Sequence, residues 1–150
     1  MSTLKQVKDI MTRDLTAVSE SNALKEVVAI LTHYRFSGVP VVDDEQRLTG
    51  FISEKDLISS VFPGQFRASD DFFPRDFASL AHQMSQAGES QVRDFMTREV
   101  IYVTEDDDLS YLAELMLSKG LKSVPVVRKR KLVGIVGRAE LCRALMTEGE

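Results

Sequence analysis

Most of this chain is written twice, and few folds accommodate such a duplication. Val7-Lys8-Asp9-Ile10-Met11-Thr12-Arg13-Asp14 returns as Val92-Arg93-Asp94-Phe95-Met96-Thr97-Arg98-Glu99, 85 residues later. Ser37-Gly38-Val39-Pro40-Val41-Val42 returns at the same offset as Lys122-Ser123-Val124-Pro125-Val126-Val127. Gly50 returns as Gly134, at an offset of 84, so the one length difference falls in the polar stretch between two apolar segments. Turns accept such changes and strands do not, which marks the repeat as a duplicated structural unit.

Each copy reads as β-α-β-β-α. Leu15 to Val18 and Val100 to Val103 suggest a first strand, and Asn22 and Asp107 are candidate helix N-caps. Leu24, Val27, Val28, Leu31 and Tyr34 recur at helical spacing, as do Leu109, Leu112, Ala113 and Met116, each set predicting a helix with one buried face. Val39 to Val42 and Val124 to Val127 predict buried strands. A polar turn, Asp43 to Arg47 or Arg128 to Lys131, leads to another strand and a second helix. That helix carries Leu57, Ile58 and Val61 in the first copy and Leu141, Cys142 and Leu145 in the second. One copy alone leaves a sheet face uncovered, so the expected fold is α/β (α+β), two repeats packed through their sheets. The expected division is repeat 1 over residues 1–61, a linker over 62–90 and repeat 2 over 91–150. The linker is punctuated by Pro63-Gly64 and Pro74, and its Phe77, Leu80, Ala81 and Met84 predict a short helix. Phe66, Phe72, Phe73 and Phe77 are many aromatics for a free linker, so part of it should dock.

Length and composition support one globular unit: 150 residues, 43% hydrophobic and 28% charged. No apolar run approaches the ~20 residues that cross a bilayer, and the N-terminus lacks an apolar signal core, so a cytoplasmic protein without a membrane partner is expected. A net charge of −4 argues against wholesale binding to nucleic acid. The single cysteine, Cys142, excludes an intrachain disulfide and reads as a buried small hydrophobe. The acidic run Glu105 to Asp108 lacks calcium-loop spacing and is expected to serve helix capping. His33 and His82 stand alone, and no nucleophile, base and acid arrangement assembles, so no catalytic residue, metal ligand or required cofactor is assigned.

With its duplicated Asp-hydrophobic-Met-Thr-Arg opening, Val-Pro-Val-Val strands and Gly-Phe-Ile-Ser-Glu-Lys-Asp-Leu, the sequence resembles the tandem cystathionine-β-synthase (CBS) domain pair, or Bateman module, of the free-standing bacterial type. The resemblance covers nearly all of the chain except the linker. It implies two pseudo-symmetric clefts between the copies that bind adenosine-containing ligands such as AMP, ADP or ATP, with the ribose taken by a Ser/Thr-x-x-Asp motif. It also implies a homodimer formed mostly through helices, and an unidentified regulated protein as partner.

Ser53-Glu54-Lys55-Asp56 has two readings. A hydroxyl and a carboxylate opening a helix can accept and donate to ribose hydroxyls, and the same spacing is a capping box that needs no ligand. The second copy has Gly137 and Glu140 at these positions, which predicts an asymmetric module with its second cleft weak or vacant. The competent cleft is then expected to combine Phe51, Ser53 and Asp56 with Thr97, Ile101, Leu121, Lys122 and Ser123. Lys55, Lys122 and Arg138 are the candidate phosphate contacts, whereas Arg128-Lys129-Arg130-Lys131 reads as a solvated turn. Two functions remain: a non-enzymatic sensor that signals nucleotide occupancy to a partner protein, or a structural interaction module with no physiological nucleotide.

Overall fold

The two Val-Pro-Val-Val segments become strands of two small sheets in the computed structural model, which describes residues 4–60 and 76–149. The expectations for Val61, Phe66, Phe72 and Phe73 fall outside the described residues. In the first copy, α1 (Leu24–Tyr34) precedes β1 (Gly38–Val42), β2 (Leu48–Ser53) and α2 (Glu54–Ser59). The linker contributes α3 (Phe77–Ala87). The second copy runs β3 (Val103–Thr104), α4 (Leu109–Lys119), β4 (Ser123–Arg128), β5 (Lys131–Gly137) and α5 (Arg138–Glu148).

Every residue of β1 is buried, as expected of a short β-branched strand. It pairs antiparallel with β2, Val39 opposite Ile52, and β4 pairs with β5 in the same way, Val124 opposite Val136. A register shift falls at Val41/Val42 and again at Val126/Val127, so even the irregularity is duplicated. The leading strand is shorter than the sequence suggests. Val103–Thr104 pairs parallel with β4, but the first copy keeps only a bridge from Val18 to Val41, and Leu15 is exposed. Apolar composition alone did not distinguish a paired segment from an extended one beside the sheet.

Helix starts also lie one residue later than the sequence suggests. Ala23 and Asp108 occupy the N-cap positions of α1 and α4. Asn22 and Asp107 instead close the preceding turns, accepting from the backbone N–H of Ser19 at 2.7 Å and of Thr104 at 2.8 Å. Both α1 and α4 end on a left-handed residue, Arg35 and Gly120. Glycine adopts that conformation without a Cβ clash and arginine does not, yet the chain path is the same.

What joins the copies is an exchange. The opener of each copy packs on the other copy's core: Val92 and Met96 lie with Val27, Leu31, Val39 and Ile52, while Val7 lies with Leu112, Val124 and Val136. The backbone bonds are reciprocal. Val7 N–H donates to Asp107 O at 2.9 Å and Val92 N–H to Asn22 O at 2.9 Å. Thr12 and Ile135 exchange both bonds, as do Thr97 and Phe51. A Cβ on Gly50 would stand 2.6 Å from Met96 Sδ, and one on Gly134 would collide with the Thr12 carbonyl oxygen. The glycine retained in both copies is therefore the place where the foreign opener crosses the second strand.

The hairpin tips add a second junction, with Leu48 N–H donating to Arg130 O and Leu132 N–H to Gln46 O, each at 3.0 Å. Beside it, Glu105 accepts from Arg128 Nε at 2.6 Å and pairs with Arg13 at 3.5 Å. The acidic run thus serves ion pairing more than capping: Asp106 pairs with Lys8, and Asp108 makes no side-chain cap bond. The linker docks through Met84 on α3, which packs against the first core, and through Glu89 beyond the helix, which pairs with Lys25 at 2.7 Å, while Phe77 is exposed. Cys142 is exposed rather than buried, as are Val28, Tyr34, Ile58 and Leu145, so the core-facing stripe of each helix is narrower than its apolar stripe.

Replacing Gly134 with alanine is expected to destabilise the fold by about 1–3 kcal/mol, because backbone must move to admit the methyl. Urea unfolding measures this, and an unchanged midpoint would mean that the opener shifts freely. A second expectation concerns acid. The Arg128 hydrogen bond foremost, with Arg13 nearby, holds Glu105 below its ordinary 4.5 despite desolvation. The unfolded chain therefore protonates first as pH falls, and the stabilisation present at pH 7 is lost as pH drops through the folded value. Glu105→Gln should lower the melting temperature at pH 7 and flatten its decline below about pH 5.

Candidate functional site: a cleft between the two copies

Strand β2 passes directly into α2 at Ser53. Alternation along the strand sends Ile52 into the core, fully buried, and leaves Phe51 and Ser53 on the opposite face. Ser53 Oγ accepts from Asp56 N–H at 3.3 Å, and Asp56 Oδ2 accepts from the Ser53 N–H at 2.9 Å and hydroxyl at 3.0 Å. The capping-box reading is therefore realised. It does not exhaust the motif, because Asp56 Oδ1 has no hydrogen-bond partner among the described residues and the side chain is only half-buried.

Phe51 and Thr97 are joined by the exchanged backbone bonds, which lay the second opener along the edge of this motif. Thr97, Glu99 and Ile101 form the next wall. The last wall is the passage from α4 to β4, Gly120 to Ser123. Arg138 holds it from behind: its Nε donates to Leu121 O at 2.8 Å and its Nη2 to Gly120 O at 3.3 Å. Arg138, a candidate phosphate contact from the sequence, lines neither cleft, and its guanidinium gives two of its N–H groups to carbonyls at the end of α4.

Together these walls enclose a cleft of about 650 Å³. Phe51, Ser53, Lys55, Asp56, Thr97, Ile101, Leu121, Lys122 and Ser123 all line it, so the residues named from the sequence converge on one place. Ser37, Glu54, Ile58, Glu99 and Pro125 also line it and were not named. Ser37 and Pro125 lie within the repeated strand motif, which was the available signal. Glu99 could be found only by extending the alternation from Thr97 to Ile101.

A second cleft of about 330 Å³ occupies the pseudo-symmetric position, lined by Thr12, Asp14, Thr16, Phe36, Gly137 and Glu140 among others. Ser37 and Ser123 border both clefts. Gly137 caps α5 without a side chain, and Glu140 Oε2 lies 3.1 Å from where a Cβ on Gly137 would stand. Thr16 donates to Asp14 from its hydroxyl at 2.6 Å and its N–H at 2.8 Å, which holds that carboxyl below the usual range. Among the described residues no three His, Cys, Asp or Glu side chains gather as a metal site, and no helix is long and apolar enough to cross a membrane.

An exchange-linked duplication with a cleft at each pseudo-symmetric junction defines a tandem module, and comparison assigns its family. The CBS domain model matches twice, at residues 7–62 and 92–147, and the chain belongs to that family as a tandem CBS pair. Uncharacterized protein MJ1426 of Methanocaldococcus jannaschii is 31% identical over 93% of this chain and 90% of its own length. The CBS domain-containing protein CBSX1, chloroplastic, of Arabidopsis thaliana is 29% identical, and the match spans 93% of this chain and 64% of CBSX1. The crystal structure of CBSX2 in complex with AMP superposes with a TM-score of 0.75 at 26% identity, covering 97% of this chain and 98% of CBSX2. The CBS pair of protein MJ0100 in complex with 5′-methylthioadenosine and S-adenosyl-L-methionine has a TM-score of 0.69 at 26% identity, covering 98% and 99% of the two chains.

Ser53→Ala removes a side-chain cap from a helix of only six residues. It is expected to cost about 1 kcal/mol in chemical denaturation. A loss near zero would show that Asp56 holds the junction alone.

Proposed function

We propose that this CBS pair is a non-enzymatic regulatory module that binds an adenosine-containing ligand, AMP, ADP or ATP, in the cleft of Ser53 and Asp56. The observation that carries this reading is the Asp56 carboxylate, which caps α2 with one oxygen and leaves the other uncommitted in a cleft built from both copies. A ribose diol offers two donors to such a group, and charge-assisted hydrogen bonds are the strong ones. The ligands held by CBSX2 and MJ0100 share an adenosine moiety, which supports the same class here. Phe51, Ile101 and Leu121 supply apolar walls for a base, and Lys55 and Lys122 are the cations at hand for phosphate.

Occupancy of a cleft whose walls come from both copies favours the relative placement of the copies that binds ligand best, and a partner protein that distinguishes these placements reads the signal. Two modules pairing through helices are part of this reading. Leu117 on α4 is 83% exposed and Met146 on α5 is 74% exposed, apolar area that a second module would cover. The second cleft, smaller and lacking the serine, is the weaker or vacant one. Its loss of Ser and Asp is also what favours the alternative, an interaction module without a physiological nucleotide.

Calorimetric titration of AMP, ADP and ATP into the native chain and Asp56→Asn tests the reading. Asparagine keeps an oxygen for the α2 cap and loses the charge. Weakening by about tenfold or more is expected for the nucleotide that binds. Equal affinity in the folded variant removes Asp56 from the site, and no binding of any of the three favours the interaction module.

A further inference from the structure

The extended segment after Met96 has two faces. Thr97, Glu99 and Ile101 line the cleft described above, Arg98 and Tyr102 line a separate cavity of about 420 Å³, and Val100 borders both. Arg47 from the β1–β2 hairpin and Arg130 from the β4–β5 hairpin line this cavity as well. Arginines from three distant segments thus line one cavity with one lining carboxylate, Asp43; Arg47 is held by Asp43 at 2.8 Å and Glu45 at 3.5 Å, and Arg98 donates to Arg93 O at 2.9 Å. The nucleotide-type cleft is the reverse, with Glu54, Asp56 and Glu99 set against Lys55 and Lys122.

Pseudo-symmetry shows how unusual the cavity is. On the equivalent face of the other half, Arg13 and Arg128 both close on Glu105, whose side chain is only 13% exposed. Here the counterpart of Glu105 is Glu20, which reaches Arg98 only at 3.6 Å. The counterpart of Arg128 is Asp43, which is engaged by Arg47 at 2.8 Å. The Arg130 guanidinium makes no ion pair or hydrogen bond with any described residue. Its backbone sits at φ 71, next to Lys129 at φ 52, in a two-residue hairpin turn where Asn-Gly is the unstrained choice. Strain retained at a residue whose charge is left unanswered is the pattern of a functional position.

We propose that this cavity is an oxyanion site for the phosphate groups of a small molecule. Guanidinium forks match phosphate oxygens in geometry as well as charge; Glu20 reaches Arg98 at 3.6 Å and Asp43 and Glu45 hold Arg47, which leaves Arg130 as the lining guanidinium without a partner among the described residues. Binding of a free ligand in this cavity does not depend on a nucleotide in the neighbouring cleft. Two sources supply the chemistry: a free polyphosphorylated ligand, or the terminal phosphates of a nucleotide that reach past Val100.

Titration of tripolyphosphate into the chain at fixed low ionic strength tests this with Arg130→Gly, Arg98→Gln and Lys129→Gly. Glycine suits both turn positions, so the two turn variants keep the fold, and only Arg130→Gly removes a lining guanidinium. The expected result is a loss of about tenfold or more in Arg130→Gly and Arg98→Gln, with little change in Lys129→Gly. No tripolyphosphate binding to the native chain overturns the proposal. An equal loss in Lys129→Gly and Arg130→Gly also overturns it, since that marks diffuse attraction to a basic turn. Where binding holds, ATP and AMP identify the source. If Arg130→Gly weakens ATP and spares AMP, the phosphate is a nucleotide tail; if ATP is unaffected and tripolyphosphate still binds Asp56→Asn, it is a separate ligand.

Discussion

The crossing of the two openers is the constraint on which the rest of the molecule depends. Each opener completes the other copy's core, Val92 and Met96 in one and Val7 in the other. Each is held by a pair of backbone bonds across a strand whose glycine leaves room for it. Buried apolar area is the main favourable term in folding, so a single copy deprived of the foreign opener would lack part of its interior. The module is consequently one cooperative unit assembled from two interdigitated halves. The cleft follows from the same geometry: Thr97 stands beside Phe51 because the opener crosses there.

Within that frame the local chemistry is economical. Ser53 and Asp56 satisfy the exposed donors at the start of α2 and present a hydroxyl and a carboxylate to the cleft. The structural and ligand readings of this motif therefore coexist, because a carboxylate has two oxygens and the cap uses one. The second copy shows what is lost when the motif is not kept. Glu140 has one more methylene than Asp56 and no serine to engage, and its carboxylate lies beside Gly137. Arg138, at the residue following this junction, reaches the wall of the larger cleft through Gly120 and Leu121. The asymmetry in sequence thus places a positioning group for one cleft at the edge of the other.

Several residues read as core from their spacing are on the surface. Val28, Tyr34, Ile58, Cys142 and Leu145 continue the apolar stripes of their helices past the width that a small two- or three-stranded sheet covers. Hydrophobic periodicity reports that a face is apolar, and it carries no information about which surface covers it. The same limit applied to Asn22 and Asp107, whose residue types suit both a cap and the turn before one.

The resemblance to the CBS pair named the residues that meet in the larger cleft, and the sequence by itself determined the duplicated unit and most of its strands and helices. Those features are encoded locally, in periodicity, turn chemistry and repetition, and repetition at a constant offset carries register from one copy to the other. Only the tertiary structure decided that the openers trade places, that Arg138 braces the wall at Gly120 and Leu121, and that three arginines line one cavity while on the equivalent face Arg13 and Arg128 pair with Glu105. These depend on contacts between residues many tens of positions apart, such as Arg47 with Lys131 across the hairpin tips. No local pattern encodes them, because they arise only when the two halves pack.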